Sequence, residues 1–336
     1  MSTNPLDSLP KVELHLHLEG SLRPQTLFAL AERNGKDLGI ADPAGLEVLY
    51  QFRDFGDFAR LFRTGLDVLR TSEDFCDATV ALAAELSSQR VLYAEVTTTP
   101  FQHTSRGVPL EAYAAGLNEG RRRAQLEYDV AIAWVCDISR ESERPESLAT
   151  VDFLVGPNAP NGAIGLGLGG FEVGFPPDLF KASFDKARAA GLAALPHAGE
   201  TVGAQSVRLA VDTLGADRIG HGVRCLEDAA LVRELVDRQI PLEVCPTSNV
   251  KLGVATSAAE HPLRDLIAAG LLVTLNTDDP AYFGTTLTAE LQGALDHHQL
   301  SLADIAAMQT RALDVSFAPK DVRARFACAT EEWSSS

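Results

Sequence analysis

Val12-Glu13-Leu14-His15-Leu16-His17-Leu18 is an apolar run carrying two histidines two residues apart. On a strand, residues i and i+2 share a face, so both imidazoles can point at one place; helical spacing would put them on different faces. Three later segments also end an apolar run on a metal-seeking or acid–base side chain. They are His197-Ala198-Gly199-Glu200, Gly220-His221-Gly222 and Asn276-Thr277-Asp278-Asp279. Converging strand ends are how a parallel barrel assembles one site from distant pieces of chain.

Reading outward from these segments gives eight strand candidates: Val12–Leu18, Val91–Thr98, Val130–Asp137, Ala163–Leu168, Leu192–His197, Arg218–His221, Pro241–Cys245 and Leu272–Thr277. Most are short, continuous apolar runs, as strands buried on both faces of a parallel sheet should be. Helical patterns lie between them. Leu27, Leu30 and Ala31 recur at helical spacing between Pro24 and Gly35, and Leu179, Phe180, Phe184, Ala187 and Ala190 do so before Gly191. Eight-fold alternation predicts an α/β fold, a single (β/α)8 TIM-type barrel over residues 9–318, with a C-terminal helix or tail over 319–336. An extra helical insertion, roughly residues 36–75, follows the first strand and helix. Its stripe of Phe55, Phe58, Phe62, Leu66 and Leu69 reads as a helix packed on the barrel. The alternative reading is a hydrophobic cover over the barrel mouth.

At 336 residues and 46% hydrophobic, the chain can bury a large core. Its net charge of −17 would repel phosphate backbones, so neither nucleic acid nor an anionic membrane is an expected partner. Five cysteines with no C-x-x-C fit a reducing, cytoplasmic setting better than a disulfide framework. Cys245, with no base near it in sequence, reads as a buried structural thiol. No apolar stretch is long enough for a membrane span.

Three neutral imidazoles, His15, His17 and His197, with the carboxylate of Asp278 suit a borderline ion such as Zn²⁺ and leave a position for water. The fourth strand ends in Gly165-Leu166-Gly167-Leu168-Gly169-Gly170, without a lysine that could bridge two metals, so one ion per chain is expected. A bound ion of this kind makes hydroxide available at neutral pH. Glu200, three residues beyond a proposed ligand, is placed to protonate a substrate ring nitrogen, which requires burial to raise its pKa. His221, between two glycines, can orient the attacking water. Asp279 cannot easily share the metal with its neighbour, but can hydrogen-bond substrate or support a ligand. His103, His261, His297 and His298 match no ligand pattern and are expected in loops or at the surface.

On these motifs, together with Pro10-Lys11 and Glu19-Gly20 flanking the first and Arg218-Ile219 before Gly220, the chain resembles the adenosine/adenine deaminase family of metal-dependent amidohydrolases from about Leu9 to Phe317. The resemblance implies zinc on His15, His17, His197 and Asp278, Glu200 as proton shuttle, and His221 as the water-orienting group. It also implies that Asp279 and the Gly170 backbone meet the purine ring, and that Glu19 lies where the family contacts the sugar. The run Leu168-Gly169-Gly170-Phe171-Glu172-Val173-Gly174, with Val244-Cys245-Pro246-Thr247-Ser248-Asn249, looks most like the aminodeoxyfutalosine deaminases. The expected substrate is therefore a small purine nucleoside with an enlarged 5′ group, ahead of adenosine and then adenine. Other amidohydrolase reactions, or a catalytically silent nucleoside-binding member, are the competing readings.

Overall fold

A computed structural model describes residues 4–40, 42, 44–45, 50–52 and 55–335. Eight strands run in sequence order around one sheet, each parallel to the next: β1 (Lys11–His17), β2 (Val91–Thr98), β3 (Ala131–Ser139), β4 (Ala163–Gly169), β5 (Ala193–Ala198), β6 (Ile219–His221), β7 (Leu242–Val244) and β8 (Val273–Leu275). Every strand starts and ends within two residues of the run read from the sequence. Such runs form strands here because helices cover the outside while side chains fill the inside, so both faces need apolar residues.

The ring closes between β8 and β1 with little ladder. Leu16 and Asp278 form an isolated parallel bridge, in which Asp278 donates to the His15 carbonyl (3.0 Å) and His17 to the Asp278 carbonyl (2.8 Å). Side chains complete the seam: Leu14 N–H donates to Asn276 Oδ1 (2.9 Å), and Glu13 accepts from the Thr277 N–H (3.0 Å) and hydroxyl (2.5 Å). β8 is shorter than the apolar run suggests: it ends at Leu275, and Asp278, in the left-handed region at φ 65°, meets the sheet again through its bridge to Leu16. His221, at the end of β6, is also in the left-handed region, at φ 60°. Side chains other than glycine are uncommon there, and such positions cluster at functional sites.

The helix Lys320–Ser334 lies against the first two strands: its Val322 and Phe326 join Val12, Leu14 and Tyr93 in one apolar cluster. In the insertion, a helix spans Phe55–Val68 and buries Phe58, Leu61, Leu66 and Val68. The parts of the predicted 36–75 segment at 41, 43, 46–49 and 53–54 lie outside the described residues. Four cysteines, including Cys245, are buried and Cys328 is exposed; all are free. No described helix is long and apolar enough to cross a membrane.

Candidate active site

The C-terminal strand ends deliver the predicted side chains to one buried cluster. His15, His197, His221 and Asp278 each offer a ligand atom, and these atoms all lie within 4.8 Å of one another. His17 joins from the same face of β1 as His15: its Nε2 is 3.3 Å from Asp278 Oδ1 and 3.3 Å from His197 Nε2. The two oxygens of Asp278 divide the group. Oδ1 faces His15 (3.7 Å) and His17, whereas Oδ2 accepts from Ser248 (2.7 Å) and faces His221 (3.8 Å).

Close packing of these rings requires small neighbours. A Cβ at Gly220 would lie 2.6 Å from His15 Cε1, and one at Gly20 would overlap the Asp279 carboxylate. A residue with a side chain at either place would displace a site group.

Two layers behind the cluster fix its imidazoles. His15 Nδ1 is 2.9 Å from Glu243 Oε2, which leaves Nε2 for the site. Glu243 in turn accepts from Arg218 Nε (2.6 Å), and Arg218 also pairs with Glu95. On the other side, His261 Nδ1 accepts from the Leu263 N–H (3.1 Å), so its Nε2 proton goes to Asn249 Oδ1 (3.0 Å). The Asn249 amide then faces His221 Nδ1 (3.4 Å), and neutral His221 keeps its proton on Nε2, 3.8 Å from Glu200 Oε2.

The electrostatics fit a cation held at the centre and an acid beside it. Burial works against charge on His15, but Asp278 and Glu243 outweigh it and push the imidazole up to about 10. Burial, then the nearby Asp278 and Glu172, raise Glu200 well above the carboxylate range. Burial and Asp278 do the same to Asp279. Burial lowers His221 to about 4, so it is neutral at pH 7. Among the described residues, His15 Nε2, Glu200 Oε1 and Asp279 Oδ1 are buried without a hydrogen-bond partner. Leaving such atoms unmet costs about 1–3 kcal/mol each, so their convergence marks a place where an ion and a ligand belong.

These groups open into a cavity of about 200 Å³. Its inner wall is His17, Asp137, His197, Glu200, His221, Asp278 and Asp279; Gly169 and Gly170 form one edge. Its outer wall includes Phe55, Phe58, Phe62, Arg63 and Leu66 of the insertion helix. The Phe55 ring meets Phe171, from the loop after β4, edge-on at 4.7 Å. The insertion is thus more than a helix packed on the barrel: it covers the mouth.

Three expectations need correction. Glu19 does not line the cavity. It is fully buried, and its Oε1 takes donors from Thr98 Oγ1 (2.7 Å), His103 Nε2 (2.8 Å) and the Thr99 N–H (3.3 Å). His103 is accordingly a buried partner rather than a surface group, because a carboxylate inside the protein needs donors there too. His261 and His298 are also buried, His261 through its bond to Asn249.

Sequence reasoning passed over Asp137, Glu243 and the role of Arg218. Asp137 ends the third strand run and lines the cavity, in space left by the absent side chains of Gly167 and Gly169. Burial pushes its carboxyl up to about 7. The available signal was a single acid within or ending an apolar strand run: Glu13, Glu95, Asp137 and Glu243 all fit that description.

A barrel that gathers imidazoles and a carboxylate at its strand ends, next to a buried acid, has the build of a metal-dependent hydrolase. The family model for adenosine deaminase matches residues 10–333, and the chain belongs to that family. It is 41% identical over 320 residues to an adenine deaminase of Rhodospirillum rubrum, covering 95% of each chain. It is 39% identical to an aminodeoxyfutalosine deaminase of Streptomyces avermitilis, covering 95% of this chain and 89% of that one. The crystal structure of an adenine deaminase from Arthrobacter aurescens superposes with a TM-score of 0.93 at 36% identity, covering 98% of this chain and 100% of that one. Deamination of adenine or an aminopurine nucleoside is the activity these relatives support.

Proposed function

We propose that the chain removes the 6-amino group of aminodeoxyfutalosine, a purine nucleoside with an enlarged 5′ substituent, releasing ammonia. The carrying observation is the two-tier cavity. A purine ring is enough to occupy the inner polar tier, whereas the outer tier of Phe55, Phe62, Phe171 and Arg63 would stay bare behind a free base. Arg63 pairs with no carboxylate among the described residues, and its cation suits an anionic end on a 5′ substituent. The glycine pair and the likeness to the Streptomyces avermitilis enzyme support the same reading.

His15, His17, His197 and Asp278 would hold one Zn²⁺: His15 and His17 face one oxygen of Asp278, and His197 Nε2 lies 3.3 Å from His17 Nε2. When bound, zinc supplies Lewis acidity that makes water nucleophilic at neutral pH. Glu200 enters the reaction protonated and gives its proton to the ring nitrogen next to the carbon under attack, whose double bond it thereby helps to open. His221 presents Nε2–H toward the incoming water. Asp279 Oδ1 and the Gly170 backbone hold the ring edges. Glu19, behind the wall, would act on the site through the Thr98–Thr99 segment it holds.

Free adenine is the second reading. The cavity volume of about 200 Å³ favours it, lying below the ~300–1,000 Å³ usual for larger ligands. The discriminating experiment compares kcat/KM of the zinc-loaded protein for aminodeoxyfutalosine, adenosine and adenine. The highest value is expected for aminodeoxyfutalosine; a preference for adenine would overturn the extended-nucleoside reading and leave the deaminase chemistry intact.

A further inference from the structure

Glu200 has to release and regain a proton, and fixed side-chain bonds on its carboxyl would oppose one state or the other. Its Oε1 indeed has no partner. What aims the side chain must therefore act on the backbone that carries it.

Glu172, in the loop after β4, does so. Its Oε1 accepts from the Gly199 N–H (2.8 Å) and Ser206 Oγ (2.8 Å). Its Oε2 accepts from the N–H groups of Glu200 (3.0 Å), Thr201 (2.6 Å) and Val202 (3.0 Å), and from Thr201 Oγ1 (3.2 Å). Two oxygens offer about four lone-pair sites, so this carboxylate is saturated by the turn that follows β5. The opposite polarity is met by Arg140, fully buried just after β3. Its Nη2 donates to the His197 carbonyl (2.5 Å) and its Nη1 to the Phe175 carbonyl (2.6 Å). Neither Glu172 nor Arg140 lines the cavity.

We infer that Glu172 and Arg140 are a positioning pair for the acid–base step: the cation grips the chain at His197, the anion grips it at 199–202, and Glu200 is aimed by the 197–202 stretch that the two hold. The inference rests on the assignment of Glu200 as proton shuttle. An anion is required because every donor it receives from the backbone is an N–H; an amide in its place would turn an NH₂ group toward them. Small misplacements of a catalytic group cost about 10²-fold in rate.

The test is Glu172→Gln, measured beside wild type for kcat, KM, zinc per chain and amide hydrogen exchange over 199–202. The expected result is kcat down by about 10²-fold with KM within about threefold, zinc content unchanged, and faster exchange over 199–202. Wild-type kcat in a folded Glu172→Gln protein would overturn the inference, as would zinc lost in step with activity, which would make the pair a support of the metal site. Should that variant not fold, Ser206→Ala removes one donor of the six and Arg140→Lys keeps the charge without the fork. Both are then expected to lower kcat several-fold, by about 2- to 10-fold, at constant KM, and unchanged kcat in both would overturn the inference. Wild type without purine deamination would instead sink the functional reading, while the exchange rates would still report whether the grip exists.

Discussion

The two tiers of the cavity are built by different means. The inner tier comes from the ends of β1, β3, β4, β5 and β6 and the segment after β8. Its groups are buried, and His15 and His221 are each braced by a partner one layer back. The outer tier comes from the Phe55–Val68 helix and the loop carrying Phe171, held across the mouth by ring contacts such as Phe55–Phe171. Side chains on the barrel scaffold cannot shift without disturbing the sheet, whereas an inserted helix can vary freely. The difference assigns the reaction to the inner tier and the choice of substrate to the outer one.

The largest effects should fall on the inner tier and be blind to substrate. Glu200→Gln keeps the metal-seeking groups but removes the proton, so kcat should drop at least ~10²-fold on every 6-aminopurine tested, with selectivity unchanged. Selectivity that shifts along with kcat would break the division between tiers. Asp278→Ala should lose zinc and activity together, since Asp278 faces His15 and His17 with one oxygen and His221 with the other. Full metal occupancy with full activity in that variant would place the ion elsewhere.

Outer-tier changes should be smaller and selective. Arg63→Ala and Phe55→Ala are expected to raise KM for aminodeoxyfutalosine by about 10-fold while leaving kcat/KM for adenine within about threefold. Equal losses on both substrates would sharpen the comparison in the other direction, by showing that the insertion helix also shapes the inner tier.

The smallest expected effect is on stability and concerns the brace behind His221. Burial, then His298 and His221, depress His261 from 6.5 to about 3. It stays neutral in the fold, whereas the unfolded chain takes up the proton below 6.5, so its contribution is complete above 6.5 and is lost as pH falls toward 3. His261→Gln should therefore flatten the fall of Tm between pH 6.5 and 5. Parallel Tm–pH curves would assign the acid sensitivity to other groups.

What could be read from the sequence follows the same division. Strand-end residues announce themselves because a polar side chain interrupts an apolar run, as at His15, His197 and Asp278. The barrel then brings those ends together without further information. The sugar contact was assigned to Glu19 by its position in the family pattern, whereas its surroundings here, behind the cavity wall, are set by His103, 84 residues away in the chain. The bracing layer was equally hidden: nothing near Glu243 in sequence indicates His15 or Arg218. The insertion's aromatic stripe fits a packed helix as well as a cover, since periodicity reports which side is buried and not what buries it.

The most direct measurement follows ammonia release and the ultraviolet change of a 6-aminopurine nucleoside, first with the protein as purified, then after chelation, then after zinc is restored. The arrangement of His15, His17, His197, Asp278 and Glu200 predicts one ammonia per purine converted, activity lost with the metal, and recovery at one zinc per chain. Turnover that survives complete removal of metal, or a zinc-loaded protein that releases no ammonia from any 6-aminopurine, would contradict it.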